Sequence, residues 1–179
     1  VAATPDLTRS FQRANGLPAA YVRPGERVDL SLVLTNTGSA DARDATAITE
    51  LPPATLWLDG PQASSGLADY ADGIVTWRGE VPLSESVAIT YSVQVSLTLA
   101  PGTLLHGDTW IDDGVAAPFE LVDTAVLTVV SEYPGTSQVV PSADQVELGD
   151  ILTYQILVRN IGWERANPAT LVFPLPSGS

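Results

Sequence analysis

The chain has 179 residues, 21 acidic against 8 basic side chains, a formal charge of −13, and neither Cys, Met nor Lys. Without Cys there is no disulfide, thiolate metal site or Cys nucleophile, and without Lys no Schiff base, Walker lysine or Lys–Asn isopeptide cross-link. The negative excess repels phosphate backbones and anionic lipid, which argues against nucleic acid as a partner.

Taken in chain order, the predicted elements are all strands. Val28, Leu30, Leu32 and Leu34 alternate with Asp29, Ser31, Val33 and Thr35, and a period of two places one set on a buried face. Runs rich in β-branched residues and Leu predict further strands over 45–51, 54–58 and 74–77. The alternation of Val87, Ile89, Tyr91, Val93, Val95 and Leu97 predicts one long strand. Single strands are expected over 104–111 and over 119–130, the latter with Asp123 as a point of interruption. Leu152, Tyr154, Ile156 and Val158 alternate with Thr153, Gln155, Leu157 and Arg159 in the same manner. Asn36-Thr37-Gly38 and Asn160-Ile161-Gly162 end strands, while Asp72-Gly73 and Asp113-Gly114 read as hairpin turns. No window shows a helical stripe. The apolar run Ala125–Val130 is far short of the roughly 20 residues of a membrane span, so no membrane insertion is expected in this segment. The expected fold is an all-β antiparallel sandwich.

The sequence also repeats itself. With Gly25 set on Gly149, Val28, Leu30, Leu32 and Leu34 fall on Leu152, Tyr154, Ile156 and Val158. Asn36 falls on Asn160, Gly38 on Gly162, Ala42 on Ala166, Ala45 on Ala169, Thr46 on Thr170, Leu51 on Leu175 and Pro52 on Pro176. Eight of 28 positions agree without a gap, where average usage gives about two. Tandem modules follow: a complete sandwich over residues 1–130 and the first strands of a second, incomplete one over 131–179, with Ser131–Gln138 as lead-in. A few strands alone leave an apolar face and open edges. The expectation is that the first module or a neighbouring chain covers that face, with homo-oligomerisation as one route. The chain itself reads as a processed or excised piece of something longer.

Pro24-Gly25-Glu26-Arg27-Val28-Asp29-Leu30 through Asn36-Thr37-Gly38, with Leu51-Pro52, resembles the conserved repeat of bacterial and archaeal surface proteins catalogued as domain of unknown function eleven. The second copy, Gly149-Asp150-Ile151-Leu152-Thr153-Tyr154 to Asn160-Ile161-Gly162, is the closer match at the front. Ile74–Trp77 followed by Ser84–Ser96 resembles the middle of that repeat. The first copy departs from it at Leu30, where the family has Tyr, and in lacking an Asp before Leu51-Pro52. The resemblance implies an immunoglobulin-like unit in a secreted or cell-surface protein, serving as stalk, spacer or adhesive repeat, whose partners are neighbouring modules of the same protein.

Candidate chemistry is sparse. His106 is the sole histidine and no Gly-x-Ser-x-Gly elbow accompanies it, so no triad is read. Asp108, Asp112 and Asp113, Asp69 and Asp72, and Asp41 and Asp44 cluster in sequence, but lack an EF-hand spacing and are read as turn residues. Trp77 and Trp110 are read as core, Trp57 and Trp163 as a candidate carbohydrate platform, and Trp163 preferentially as interface packing. No catalytic, cofactor or metal residue is assigned. The expected function is that of a non-catalytic structural or adhesive module outside the cell. A polysaccharide-binding module, or an accessory domain of a secreted hydrolase, is the alternative.

Overall fold

The central strands form here because they bury one face of Val, Leu and Ile while Ser, Thr and Asp line the other. The computed structural model describes residues 2–130, 138–143, 145, 147 and 149–158. It divides into two units, Val1–Ser131 and Glu132–Ser179. Among the described residues there is no helix, and the fold class is all-β.

The first unit runs β1 (Phe11–Ala14), β2 (Ala19–Val22), β3 (Arg27–Thr35), β4 (Ala42–Glu50), β5 (Thr55–Ala63) and β6 (Leu67–Ala71). It continues with β7 (Ile74–Val81), β8 (Ser86–Val95), β9 (Leu104–Leu105), β10 (Thr109–Asp112), β11 (Phe119–Glu120) and β12 (Val126–Val129). One antiparallel sheet has the order β1-β3-β8-β5 and the other β11-β10-β4-β7-β6. A third, small sheet, β2-β12-β9, joins the beginning of the unit to its end by a parallel pair.

The core is one cluster between these sheets. Val28, Leu30, Leu32 and Leu34 of β3 and Val87, Ile89, Tyr91, Val93 and Val95 of β8 are buried, as the period of two predicts. Opposite lie Ala45, Ala47, Val75, Trp77 and Ile111. Each large side chain buried this way contributes about 1.5–3 kcal/mol. The Trp77 indole needs unusual room, and its surroundings supply it. Ala47 is its register neighbour, and Gly66 and Gly79 lie so close that an added Cβ would come within 2.7–2.8 Å of the ring. Its Nε1 donates to the Ser65 carbonyl at 2.8 Å.

Asn36 ends β3 and is wholly buried. Its Oδ1 accepts the amides of Asp6 and Gly38, and its Nδ2 donates to the carbonyls of Ala40 and Val81. Its own backbone exchanges bonds with Ser84 and Glu85. One side chain thereby fastens the N-terminal segment, the β3–β4 turn and the β7–β8 turn. Gly38 must be Gly because a Cβ there would run into the Thr4 carbonyl.

Several expected elements come out differently. The stretch 104–111 is two strands in two sheets, because the chain crosses the end of β4 at residues 106–108. Glu50 N–H bonds the Asp108 carbonyl, and a Cβ on Gly107 would meet the Glu50 carbonyl. The stretch 119–130 divides likewise, at Asp123, whose carbonyl takes the Gln12 amide instead of a ladder bond. Leu97 lies beyond the end of β8 and is exposed. Asp72-Gly73 is the expected two-residue hairpin, both residues at positive φ. Asp113-Gly114 instead opens a longer loop from β10 to β11.

In the second unit β13 (Gln138–Pro141) pairs with β14 (Tyr154–Leu157), a shorter strand than the alternation over 152–159 predicts. Arg159 and the Asn160-Ile161-Gly162 turn lie outside the described residues, as do residues 131–137 of the lead-in and the matched positions 166–176. The register repeats that of the first unit. Val33, Leu32, Ser31 and Leu30 face Phe11, Gln12, Arg13 and Ala14; their counterparts Leu157, Ile156, Gln155 and Tyr154 face Gln138, Val139, Val140 and Pro141. The hydrogen bonds repeat as well. Glu26 N to Arg23 O becomes Asp150 N to Glu147 O, and Arg23 N to Glu26 Oε2 becomes Glu147 N to Asp150 Oδ2. Asn15 N to Asp29 O becomes Ser142 N to Thr153 O, and Asp29 N to Asn15 Oδ1 becomes Thr153 N to Ser142 Oγ. Gly25 and Gly149 both take positive φ, 78° and 98°, where other residues are strained.

Asn36→Ala strands buried donors and acceptors in three segments and is expected to cost about 3 kcal/mol. Urea unfolding checks this: the midpoint should fall with an unchanged slope. Thr37→Ala, exposed beside it, should stay within about 0.5 kcal/mol of the parent.

Candidate functional site

Carboxylates come first, as the groups a metal or an acid–base reaction would use. Asp112 Oδ1 accepts the Gly114 amide at 2.8 Å, and Asp113 Oδ1 accepts the amides of Val115 and Ala116 at 2.9 and 2.8 Å. Asp41 accepts the Leu83 amide and lies 3.6 Å from Arg43. Asp112 and Asp113 thus hold their own loop, the local bonding that makes Asp a turn residue, while Asp41 reaches from the β3–β4 turn to the β7–β8 turn. Asp108 and His106 are exposed where the chain passes from β9 to β10. Among the described residues no group of three His, Cys, Asp or Glu side chains is placed to hold a metal.

Other acids tie distant segments, and sequence reading missed them. Asp123 accepts both guanidinium nitrogens of Arg13, at 2.8 and 2.9 Å, across 110 positions of chain. Arg13 holds the Asp123 carboxyl below the usual carboxylate value. The same cation lies over the Phe11 ring at 4.5 Å. Asp6 is lowered by the hydroxyl and amide of Thr8, and Asp29 by the Ser92 hydroxyl and then by Arg27. Gln12 and Tyr91 pair inside the core at 3.0 Å, and burial pushes the phenol pKa up.

Two surfaces present themselves to solvent. On the outer face of the first sheet, register shifts around Asp59 and Gln62 lift β5 away from β8. They open a groove of about 380 Å³ lined by Arg27, Asp29, Asp59, Gln62, Thr90 and Ser92. Its polar groups already bind one another: Ser92 Oγ donates to Asp29 and accepts from Arg27. On the outer face of the five-stranded sheet lies Trp110, 47% exposed. This corrects its reading as core, because β10 presents Ile111 inward and Trp110 outward. Trp57 is half-buried, stacked on Tyr70 at 3.7 Å with the rings 2° from parallel, and closes the sandwich between edge strands β5 and β6. It is no open platform. Trp163 lies outside the described residues.

Comparison with protein-family models and with curated proteins returns no match. Solved structures do share the fold. A protein of Corynebacterium diphtheriae described as membrane-anchored matches with a TM-score of 0.56 at 13% identity, over 74% of this chain and 38% of that one. BcpA, the major pilin subunit of Bacillus cereus, matches at 0.54 and 10%, over 76% and 42%. The N-terminal domain of the Streptococcus gordonii adhesin Sgo0707 matches at 0.50 and 7%, over 70% and 34%. At such identity the likeness is one of fold alone, that of an antiparallel β-sandwich. The chain spans less than half the length of each.

Carboxyls lowered in the folded state stabilise it above their unfolded value of 3.8, and that contribution is lost as pH falls through the folded values. Thermal melts taken downward from about pH 5 should therefore drop below about pH 4, and Asp123→Asn should flatten part of that drop. An unchanged profile in the variant would remove Asp123 as a contributor. Asp113→Ala should lower stability by about 1–2 kcal/mol, while millimolar calcium leaves the parent Tm unmoved; a rise in Tm with calcium would show that the turn acids do bind it.

Proposed function

We propose that the first unit is a non-catalytic, load-bearing module of a secreted or cell-surface protein, set in tandem with copies of itself. The parallel pairing of β2 with β12 carries this reading. Ala19, Ala20, Tyr21 and Val22 run beside Val126, Leu127, Thr128 and Val129. Val126 N bonds Pro18 O at 3.0 Å, and Val130 N bonds Val22 O at 2.8 Å. Gln12 N to Asp123 O and the Arg13–Asp123 ion pair tie β1, just upstream of β2, to the stretch that leads into β12. Tension enters at the N-terminus through the segment held at Asn36 and through β1 on β3, and at the C-terminus directly through β12. Once it reaches the parallel pair, β2 and β12 are drawn lengthwise past each other, so the bonds of that pair resist together.

The repetition of register, turn geometry and hydrogen bonds at the front of the second unit supports the tandem arrangement, and with it membership of the repeat catalogued as domain of unknown function eleven. The fold shared with a pilin subunit and an adhesin domain supports a place outside the cell. Neighbouring modules of the same protein are the partners this reading names.

Single-molecule force spectroscopy tests it. The chain held at its two ends should unfold at a clearly higher force than the same chain held at its N-terminus and at an Asp69→Cys handle on β6. Val126→Pro removes the amide that bonds Pro18 at the first residue of a strand, where Pro is tolerated. It should lower the end-to-end force and leave the β6 force unchanged. Equal forces in the two geometries would sink the reading.

A further inference from the structure

The outer face of the five-stranded sheet carries a row that the load-bearing role does not use. Strand pairing sets Glu120, Trp110, Ile48, Thr76 and Asp69 side by side across β11, β10, β4, β7 and β6. Paired residues point to the same side of a sheet and stand about 4.8 Å apart, so this row is a flat strip one side chain deep. Its centre is apolar and wet: Trp110 is 47% exposed and Ile48 43%. Carboxylates close it at both ends, and in the next row of the same face Asp112 of β10 and the exposed Arg78 of β7 stand on either side of Thr46.

Trp57 and Trp77 each have a structural partner, Tyr70 and the Ser65 carbonyl respectively. Among the described residues the Trp110 indole has neither a ring stacked on it nor an acceptor at its N–H. An indole left open in a strip of acids and a hydroxyl has the parts that hold a sugar ring. The π face is the negative part of its quadrupole and attracts the weakly positive C–H face of a pyranose, while the flanking carboxylates accept bonds from the hydroxyls at its rim.

Charge selects among occupants. The chain carries −13, and on this face Glu120, Asp69 and Asp112 outnumber Arg78, so a second copy or an acidic polysaccharide would bring further acids against them. An apolar protein partner would leave these carboxylates buried without partners, which is costly. An uncharged glycan, with a C–H face and hydroxyl donors, meets neither penalty. We propose that this strip, centred on Trp110, is a binding site for an uncharged polysaccharide. The site is independent of the tandem arrangement and of the load path through β2 and β12.

Affinity electrophoresis of the full chain through gels containing hydroxyethylcellulose, galactomannan or polygalacturonate tests this directly. At least one of the two uncharged polymers should retard the parent chain, and polygalacturonate should not. Trp110→Ala should abolish the retardation, and Glu120→Gln should weaken it several-fold less than Trp110→Ala does. Because Trp110 is on the surface, the variant should keep the parent's Tm, which separates lost binding from lost fold. Ile48→Thr offers a second disturbance of the strip that leaves the indole in place, and it too should reduce retardation. No retardation by either uncharged polymer overturns the proposal, as does retardation that survives Trp110→Ala. Two further results do so by naming another occupant: fluorescence quenching of Trp110 by hexa-arginine with the uncharged polymers silent, or sedimentation of a dimer that Trp110→Ala dissociates.

Discussion

A buried amide with all its donors and acceptors engaged organises the first unit. Asn36 sits in a region of low dielectric, where an unpaired polar atom is costly, so its four side-chain bonds can be met only when three separate segments are in place together. The ends of β3 and β7 meet there, and the N-terminal stretch crosses over Gly38 to supply one donor. That crossing brings β1 onto β3 and lets β2 leave for the small sheet beside β12. The Asn-x-Gly pattern, which in the sequence looks like a strand-ending turn, is therefore a tertiary device.

Legibility follows the range of the interaction. The β3 and β8 strands were legible because alternation is a local signal and each has one wet face. The Asp72-Gly73 hairpin was legible because its geometry is written in two adjacent residues. The division of 104–111 was not, since the break is imposed by the Glu50 carbonyl from β4. The short strands β1 and β2 are held by pairings with Leu30–Val33 and with Val126–Val129, which four-residue runs cannot announce. Trp110 was misplaced because apolar type was given more weight than parity: with Ile111 inward, its neighbour must point outward. The Arg13–Asp123 pair joins residues 110 apart, and nothing near either one indicates the other.

The repeat was legible in identities, but its depth was not. Eight matched residues understate what is kept, because several of the shared bonds run through backbone atoms or through different side chains in the same role. Glu26 and Asp150 each cap the turn before a strand, and Asn15 and Ser142 each accept from the strand that follows. Meanwhile Leu30 of the core is answered by Tyr154. Backbone geometry is the more conservative of the two, as expected where turns fix register and side chains merely have to fill a face.

Like modules strung closely on one chain live at high local concentration, and an open strand edge on one could pair with that of the next. The irregularity of β5 bears on this. Its ladder with β8 shifts register twice between Trp57 and Gln62, with Gly60 and Pro61 left out of the pairing. Pro61 offers no amide, and a bulged strand twists away from any flat neighbour. The same irregularity that opens the groove on this sheet thus makes its edge a poor template. A tandem protein built from such units is guarded against aggregation by geometry as well as by its negative charge.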